Sequence, residues 1–414
     1  MKKYVFLTCN IHIIGGIQTY LAGKAKFLES AGWTVDMFFS GRSNSGGCAF
    51  KSLERYTAGW FPEISIPPGN WPAFIRNSVL RDMQRQLGVI DGEIIIESED
   101  SAHALWGELL AKTVSGKHIS FINGEHLFGK RMFYAEYLDF FDFKHRRREF
   151  AGGSNSMSVL FAGYKPVLPE ENYVFIPASE GPVQDVENEK VTAISKIGWN
   201  ICYIGRIEKG YVPNILKGVH DFAQAHFEET VQMIFVGDVK KRLAQIQNMF
   251  SDISNINLVF LGDCVPIPRA LYSKVDVVIG GSDCAIRSAQ EGALTIIADA
   301  GNFMANGVLG IDTYDAHSHE VGGVVQMDFK TALEKVLVKK EYANKQIGEL
   351  PRSKPCEFYY REHFNLIENS EKKPEYYDVI KNRKFSHKPS WIYYRCEWMV
   401  KILYRKYVLS RKKR

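Results

Sequence analysis

Two positively charged side chains follow a β-branched run in the second half of the chain. Arg206 and Lys209 lie in a short segment that begins at Gly205, directly after the predicted strand Asn200–Ile204. At the carboxyl end of a strand, an arginine supplies a planar pair of donors and a lysine a mobile point charge. Together they can neutralise a diphosphate leaving group. The alternative is a solvated loop in which Arg206 pairs with Glu208.

Two acidic residues follow another predicted strand, Val275–Ile279. Asp283 and Glu291 are eight residues apart. If a helix begins near Arg287, Glu291 lies in its first turns and faces a ligand, while Asp283 lies in the preceding loop. The alternative is an acid that only stabilises the helix dipole.

A pair of glycines, Gly15 and Gly16, follows the first predicted strand, Lys3–Cys9, and opens a predicted helix. Glycines let the backbone approach a ligand, and the partial positive charge of a helix N-terminus suits phosphate. The full GxGxxG fingerprint is absent, which argues against NAD or FAD. A plain tight turn is the alternative.

These residues fall in a regular alternation of short apolar runs and amphipathic helical patterns. Such alternation predicts parallel sheets with crossover helices, that is, an α/β fold. The predicted strands, besides those already named, are Val35–Ser40, Ile64–Ile66, Glu93–Glu97, His118–Asn123, Val174–Ile176, Gln232–Val236, Asn257–Leu261 and Thr295–Ala298.

The predicted domain organisation follows from one break in this alternation. Residues 1–180 form an N-terminal domain, 181–198 a linker, 199–365 a C-terminal domain, and 366–414 a crossover with a basic tail. We expect two Rossmann-like, doubly wound domains that face a cleft, because ligands bind at the carboxyl ends of such strands.

Several short motifs, in order, resemble those of the family 4 glycosyltransferases of the GT-B fold. The resemblance extends over roughly residues 4 to 365. The motifs that carry it are Gly15-Gly16, Leu21-Ala22, Gly32–Val35, Val174–Pro177, Tyr203–Arg206, Phe235–Asp238, Phe260–Gly262 and Glu291–Ala293.

The resemblance implies a role for each matching residue. Gly15 and Gly16 would lie against the donor diphosphate, and Arg206 with Lys209 would stabilise the departing nucleotide. Asp283 would lie near the transferred sugar and Glu291 would hold the ribose hydroxyls. The remaining implied site residues are His126, facing the donor sugar, and the donor-binding Gly205, Gly237, Gly262 and Ser282.

Three departures from the family pattern stand out. The first acid is Asp283 rather than a glutamate, and Cys284–Arg287 replaces a glycine-rich stretch. The family lysine commonly lies five residues after the arginine, where this chain has Tyr211, so that Lys209 is a displaced substitute.

The activity implied by the resemblance is that of a retaining glycosyltransferase. Its donor would be a nucleotide-sugar, more readily a UDP-sugar than a GDP-sugar. Its acceptor would be a saccharide, lipid-linked, in surface polysaccharide biosynthesis. No metal or other cofactor is expected, because arginine and lysine take the metal's place. The alternatives are a non-catalytic homologue that partners an active transferase, and a sugar-nucleotide epimerase of the same fold.

Charge is distributed unevenly along the chain. The net charge is +5, yet the segment from Lys381 to Arg414 holds twelve Lys or Arg and a single acid, Glu397. Within it, Trp391, Tyr394, Trp398 and Ile402 recur at helical spacing among basic residues. A basic amphipathic helix suits an anionic membrane surface, here through residues 388–414. The alternative is that these aromatic side chains pack on the first domain.

Composition predicts a cytoplasmic protein at the inner face of the membrane. The seven cysteines are scattered singly, which fits a reducing compartment. Nucleic acid is a poor partner, because the basic residues are confined to a tail on a mildly acidic body. An aromatic run from Phe133 to Phe143 reads either as a core helix or as a surface for a lipid-linked acceptor.

Overall fold

The computed structural model describes residues 2–12, 14–41, 48–122, 133–152, 157, 160–161, 183–314, 326–348, 350, 354–371, 373–382 and 389–409. The chain divides into two units. One combines Met1–Glu180 with Pro355–Arg414, and the other is Gly181–Lys354. The first unit therefore takes residues from Pro355 onward, whereas the sequence analysis extended the second domain to residue 365.

The first unit contains a six-stranded parallel sheet. Its strands are β1 (Lys3–Thr8), β2 (Thr34–Phe39), β3 (Thr57–Trp60), β4 (Ile94–Ser98), β5 (Lys117–Ile122) and β6 (Phe150–Gly152). They are arranged in the order β3-β2-β1-β4-β5-β6. The chain thus builds outward in one direction from β1 and then in the other from β4, which is the doubly wound arrangement.

Helices connect these strands as crossovers. They are α1 (Gly16–Ser30), α2 (Lys51–Glu54), α3 (Ala73–Leu87), α4 (Ser101–Val114) and α5 (Leu138–Arg146). All six residues of β1 are buried, as expected for a central parallel strand covered on both faces.

One predicted strand of this unit is wrong. The segment Ile64–Ile66 overlaps a 3-10 helix, Pro62–Ser65. Proline fixes φ near the helical value and lacks the N–H that a strand ladder needs, so Pro62 favours the helical turn. One edge strand of the sheet is β3, which the sequence pattern did not predict. The predicted strand Val174–Ile176 lies outside the described residues.

The second unit repeats the same architecture. Its strands are β7 (Val183–Gln184), β8 (Trp199–Ile204), β9 (Val231–Val236), β10 (Ile256–Gly262), β11 (Ile267–Pro268), β12 (Val277–Gly280), β13 (Thr295–Ala298) and β14 (Ala305–Val308). The main sheet has the order β10-β9-β8-β12-β13-β14. It is parallel except for β14, which runs antiparallel to β13.

The helices of the second unit lie between these strands, except for the last, which follows β14. They are α6 (Glu189–Thr192), α7 (Val212–Ala225), α8 (Leu243–Met249), α9 (Ser282–Gln290) and α10 (Phe329–Leu333). Residues 183–198, part of the predicted linker, belong to this unit: β7 pairs with β11. The side chain of Val191 in α6 is buried in the same apolar cluster as β11.

The C-terminal segment returns to the first unit as two helices, α11 (Cys356–Glu368) and α12 (Pro389–Leu403). Helix α11 contributes Tyr360 and the fully buried His363 to the core beside α1. Helix α12 packs Trp398 and Ile402 against the other side of the same sheet. The aromatic face of the tail therefore packs on the first unit at these positions. The side chains of Trp391 and Tyr394 lie outside the described residues.

The aromatic run after β5 is a core element. Its buried members are Phe133, Tyr134, Tyr137, Phe140 and Phe141. The interpretation as a core helix is confirmed, and the exposed acceptor surface is wrong. Among the described residues, none of the helices has the length and apolar character needed to cross a bilayer.

Candidate functional site

Glycines end three neighbouring strands of the second unit. Gly205 follows β8, Gly237 follows β9 and Gly262 closes β10, with φ values of +150°, +130° and +76°. Only glycine adopts such angles without strain. The N–H of Gly237 donates to the carbonyl of Gly262 at 2.9 Å, and a Cβ on Gly237 would collide with the carbonyl oxygen of Gly205. The three predicted donor-binding glycines therefore lie side by side at one sheet edge.

The predicted basic pair lies in the loop that follows Gly205. The carbonyl of Arg206 accepts from the hydroxyl of Tyr203 at 2.8 Å and from the N–H of Lys209 at 3.2 Å. Glu208 pairs with Lys241 at 2.6 Å instead of with the arginine. No carboxylate of the described residues lies within ion-pair distance of Arg206 or Lys209. Two cations without an ion-pair partner among the described residues therefore lie at the carboxyl edge of the sheet, and their role toward an anion stays a prediction.

The helix that carries the two acids begins earlier than the sequence analysis placed it. Helix α9 starts at Ser282 rather than near Arg287. Asp283 therefore lies in its first turn, 3.6 Å from the guanidinium of Arg287 one turn later. The expected placement is wrong because Gly281, in extended conformation, already serves as the N-cap. An acid in the first turn also complements the helix dipole.

Glu291 lies at the other end of this helix. It is the residue after the last turn, and its carboxylate pairs with Arg269, which also binds Asp185 at 3.1 Å. At about 1.5 Å per residue, eight residues of helix separate the two acids by about 12 Å. The structure brings Asp283 to the glycine edge and leaves Glu291 at the far end of α9.

The charges around the first turn of α9 shift the pKa of the Cys284 thiol. Burial raises the pKa of this thiol to about 11, and Asp283 adds to the shift. Lys209 and Arg206 act in the opposite sense and lower it. Because β8 and β12 are neighbouring parallel strands, the basic pair and the start of α9, which follow them, lie at the same edge of the sheet. Ser282, with φ of +57°, forms the turn there.

The glycine pair of the first unit opens a helix as expected. Gly15 is extended at the N-cap of α1 and Gly16 is its first residue. The side-chain amide of Gln18 donates to the carbonyl of Asn10, which ties the start of the helix to the loop after β1. The predicted helix start at the glycine pair is confirmed, while its role toward a donor diphosphate stays a prediction.

A buried carboxyl group next to this helix was missed by the sequence analysis. Glu99 follows β4, where the strand order of the sheet reverses, and is 4% exposed. Its Oε2 accepts from the hydroxyl of Thr8 at 2.5 Å. Its Oε1 is buried and accepts no hydrogen bond from any described residue. Burial raises the pKa of this carboxyl well above its usual range, against the hydrogen bond from Thr8, which lowers it.

The neighbouring carboxyl group behaves in the opposite way. Asp100 is the N-cap of α4 and lies 2.6 Å from the imidazole of His103. Burial alone would raise its pKa, but the charge and hydrogen bonds of His103 outweigh that effect and lower it. The run Glu97-Ser98-Glu99-Asp100, at the end of an isoleucine-rich strand, is the sequence signal that could have identified both carboxyl groups.

The predicted site residue His126 lies outside the described residues.

Comparisons with known proteins extend these observations. No model of a protein family matches this chain, and no curated protein matches it. Several solved structures do match the chain. The chain is similar to Anabaena HepE in complex with UDP and glucose, at 12% identity and a TM-score of 0.54, covering 92% of this chain and 97% of the other. A glycosyltransferase from Rickettsia africae is similar at 14% identity and a TM-score of 0.54, over 97% and 99%.

A third similar structure is described as a UDP-N-acetylglucosamine 2-epimerase. It is the putative enzyme of Listeria monocytogenes, at 9% identity and a TM-score of 0.53, with coverage of 91% and 99%. The chain has the GT-B fold. The likeness spans both units, and at these identities it establishes the fold alone. The narrower resemblance to family 4 stays a prediction.

Proposed function

We propose that the protein is a glycosyltransferase that moves a sugar from a nucleotide-sugar donor to a saccharide acceptor. The observation that carries this proposal is the pair Arg206 and Lys209 beside the glycine edge of the second unit, with no carboxylate of the described residues at ion-pair distance. The start of α9 adds the partial positive charge of a helix N-terminus to the same place. A UDP-sugar is the proposed donor, in line with the UDP-bound structure of HepE.

Stabilising the negative charge of the leaving group would lower the barrier of the reaction. Breaking the bond between sugar and diphosphate leaves negative charge on the departing nucleotide. Donors already fixed at the site stabilise that charge without further reorganisation. Arg206 and Lys209 would do this without a metal ion. Asp283 would orient the sugar, and Gly15, Gly16 and His126 keep the roles that the family resemblance implies. Retention of anomeric configuration rests on that resemblance.

The proposed acceptor is a lipid-linked saccharide at an anionic membrane surface. Helix α12 and the π-helical turn that continues it, Tyr404–Leu409, support this location, because their outward face carries Val400 and Tyr404, 65% and 50% exposed. Lys401 and Arg405 lie on the same exposed side. Such a mixture suits the boundary between lipid headgroups and acyl chains. Surface polysaccharide biosynthesis and a cytoplasmic site of action belong to the same proposal.

A second candidate is a sugar-nucleotide 2-epimerase, favoured by the similar Listeria structure. The buried carboxyl of Glu99, whose pKa is raised by burial, also suits proton chemistry on a sugar ring. An epimerase would convert its nucleotide-sugar with no acceptor present. A transferase would release nucleotide faster when acceptor is added. A non-catalytic homologue would do neither.

Nucleotide binding tests the site directly. We would titrate the full chain with UDP and GDP and follow its thermal unfolding, because a ligand of the native state raises the melting temperature. Arg206→Ala and Lys209→Ala should each weaken binding about tenfold or more, the worth of a lost charged hydrogen bond.

Lys217→Ala is the matched control. Lys217 is an exposed lysine of the same unit, paired with Asp221 on α7. Its loss should leave nucleotide binding unchanged. Equal binding by the wild type and both site variants would refute the proposed site.

A further inference from the structure

The aromatic ring of Phe303 lies against the loop that carries Arg206 and Lys209. Phe303 follows β13, and a methyl group on Gly210 would lie 2.7 Å from its Cε1 and 2.8 Å from its Cζ. The edge of the ring therefore lies against Gly210, the residue directly after Lys209. Only a glycine leaves room for the ring in this position.

The backbone of Phe303 is in a conformation that bulky residues rarely adopt. Its φ is +64°, in the left-handed region where a β-carbon meets the backbone. Glycine or asparagine would form the same turn with less strain. Strain of this kind persists where the surroundings hold it, and it concentrates at functional sites.

Hydrogen bonds hold this turn from both sides. The N–H of Phe303 donates to the carbonyl of Asp299 at 3.0 Å, and the side-chain amide of Asn214 donates to the carbonyl of Phe303 at 3.0 Å. The buried carboxylate of Asp299 accepts from the N–H groups of Gly301 and Asn302 at 2.6 and 3.3 Å. The backbone that carries the ring is thus held in this turn, and Gly210 leaves the space that the ring occupies.

The ring is nevertheless open to solvent, with Phe303 39% exposed. A phenylalanine that only filled the core would be buried. A fixed, exposed ring next to a cationic loop has the composition of a site for a ligand with both an anionic group and a flat apolar face. Aromatic side chains stack on nucleobases and on the apolar faces of sugars in this way.

We propose that Phe303 is a platform that stacks on a ring of the donor whose diphosphate is held by Arg206 and Lys209. This inference rests on the proposed donor site and specifies how that site selects its ligand. The ring in contact belongs either to the nucleobase or to the transferred sugar, and both present the flat face that the platform fits.

Isothermal titration of the full chain with UDP, GDP, UDP-glucose and GDP-mannose tests the platform. Phe303→Ala should weaken binding about five- to hundredfold, the range for a lost stacking contact. Phe303→Tyr should bind as the wild type does, because it keeps the ring. Gly210→Ala should weaken binding as well, since its methyl group pushes the ring away while leaving both cations in place.

The two sources of the ring give different patterns. Stacking on the base weakens the nucleotide and its sugar conjugate equally, whereas stacking on the sugar weakens only the conjugate. In Phe303→Trp, the indole fluorescence should change when the same ligand saturates the site. A merely structural role would change the melting temperature of the free protein and leave that signal flat.

Wild-type affinity of Phe303→Ala for all four ligands would overturn the platform while leaving the donor site intact. A wild-type protein that binds none of the four would instead overturn the donor site, and the platform with it. The two failures are therefore distinguishable.

Discussion

The ammonium group of Lys24 lies 2.5 Å from a carboxylate oxygen of Glu97, and both side chains are completely buried. Tyr4 and Tyr20 donate to the same carboxylate at 2.5 and 2.6 Å. The Nδ1 atom of His363 lies 3.0 Å from the ammonium. Because α1, β4 and α11 each supply a member, the cluster joins distant parts of the chain inside the first unit.

We predict that Lys24→Met strongly destabilises the protein, because it leaves the charge of Glu97 buried without its partner. The expected loss in the free energy of unfolding is about 3–5 kcal/mol. The double variant Lys24→Met/Glu97→Gln should recover much of it. Lys2→Met is the control, since Lys2 and its partner Glu93 are exposed and such a pair contributes at most about 1 kcal/mol. Urea unfolding measures all three; equal losses for Lys2→Met and Lys24→Met would contradict the prediction.

Acid should weaken the first unit through Glu108. Although burial opposes ionisation, Lys144 and His118, each 2.9 Å away, lower the pKa of this carboxyl from 4.5 to about 2. The folded state therefore binds this proton less tightly than the unfolded state does. Its stabilising contribution, on the order of 3 kcal/mol, is complete above pH 4.5 and is lost as the pH falls towards 2.

Glu108→Gln isolates this effect. The variant should be less stable than the wild type at pH 7, and the difference should shrink as the pH is lowered to about 3.5. Urea unfolding at a series of pH values gives the comparison. A difference that stays constant over this range would show that the carboxyl gains nothing from ionisation in the folded state.

The role expected for Glu291 can be separated from its ion pair with Arg269. The ion pair uses one oxygen of the carboxylate, Oε2, so the carboxylate can accept from ribose hydroxyls with or without that partner. We predict that Glu291→Ala weakens donor binding about tenfold, whereas Arg269→Ala frees the carboxylate and weakens nothing. Titration calorimetry with UDP-glucose separates the cases. If the two variants lose affinity equally, the pair acts only as a structural link to Asp185.

Membrane binding should depend on the outward face of α12. We predict that Val400→Glu/Tyr404→Glu reduces sedimentation with vesicles containing phosphatidylserine, since it places charge where apolar contact is needed. Phe74→Glu, at a 73% exposed site on α3, is the control. Point changes are preferable to deleting the tail, because Ile402 belongs to the core of the first unit. If the double variant sediments with the vesicles as the wild type does, this face does not bind the membrane.

Much of the fold follows from local sequence pattern. Buried parallel strands such as β8 and β9 appear as continuous apolar runs, and their ends were predicted within a residue or two. The start of α9 was misplaced because Gly281 looked like loop while it acts as an N-cap. The β-branched residues of Ile64–Ile66 are typical of a strand, but Pro62, just before them, favours the 3-10 helix that forms.

Only part of the candidate site could be predicted from local sequence pattern. Arg206 and Lys209 were identified because residue type and position after a strand suffice to suggest an anion site. Glu99 and Phe303 were missed, since their importance lies in an unpaired buried oxygen and in a ring fixed by a distant glycine. Both properties are tertiary, and no local spacing encodes them.

The first unit is assembled from both ends of the chain, which has a consequence for synthesis on the ribosome. The second unit, Gly181–Lys354, is contiguous and can fold as soon as it has emerged. The core of the first unit is complete only once α11 is present, because His363 belongs to the buried cluster around Lys24. During translation the N-terminal half therefore leaves the ribosome first and finishes folding last. Until then its unfilled core is a natural place for a chaperone to bind.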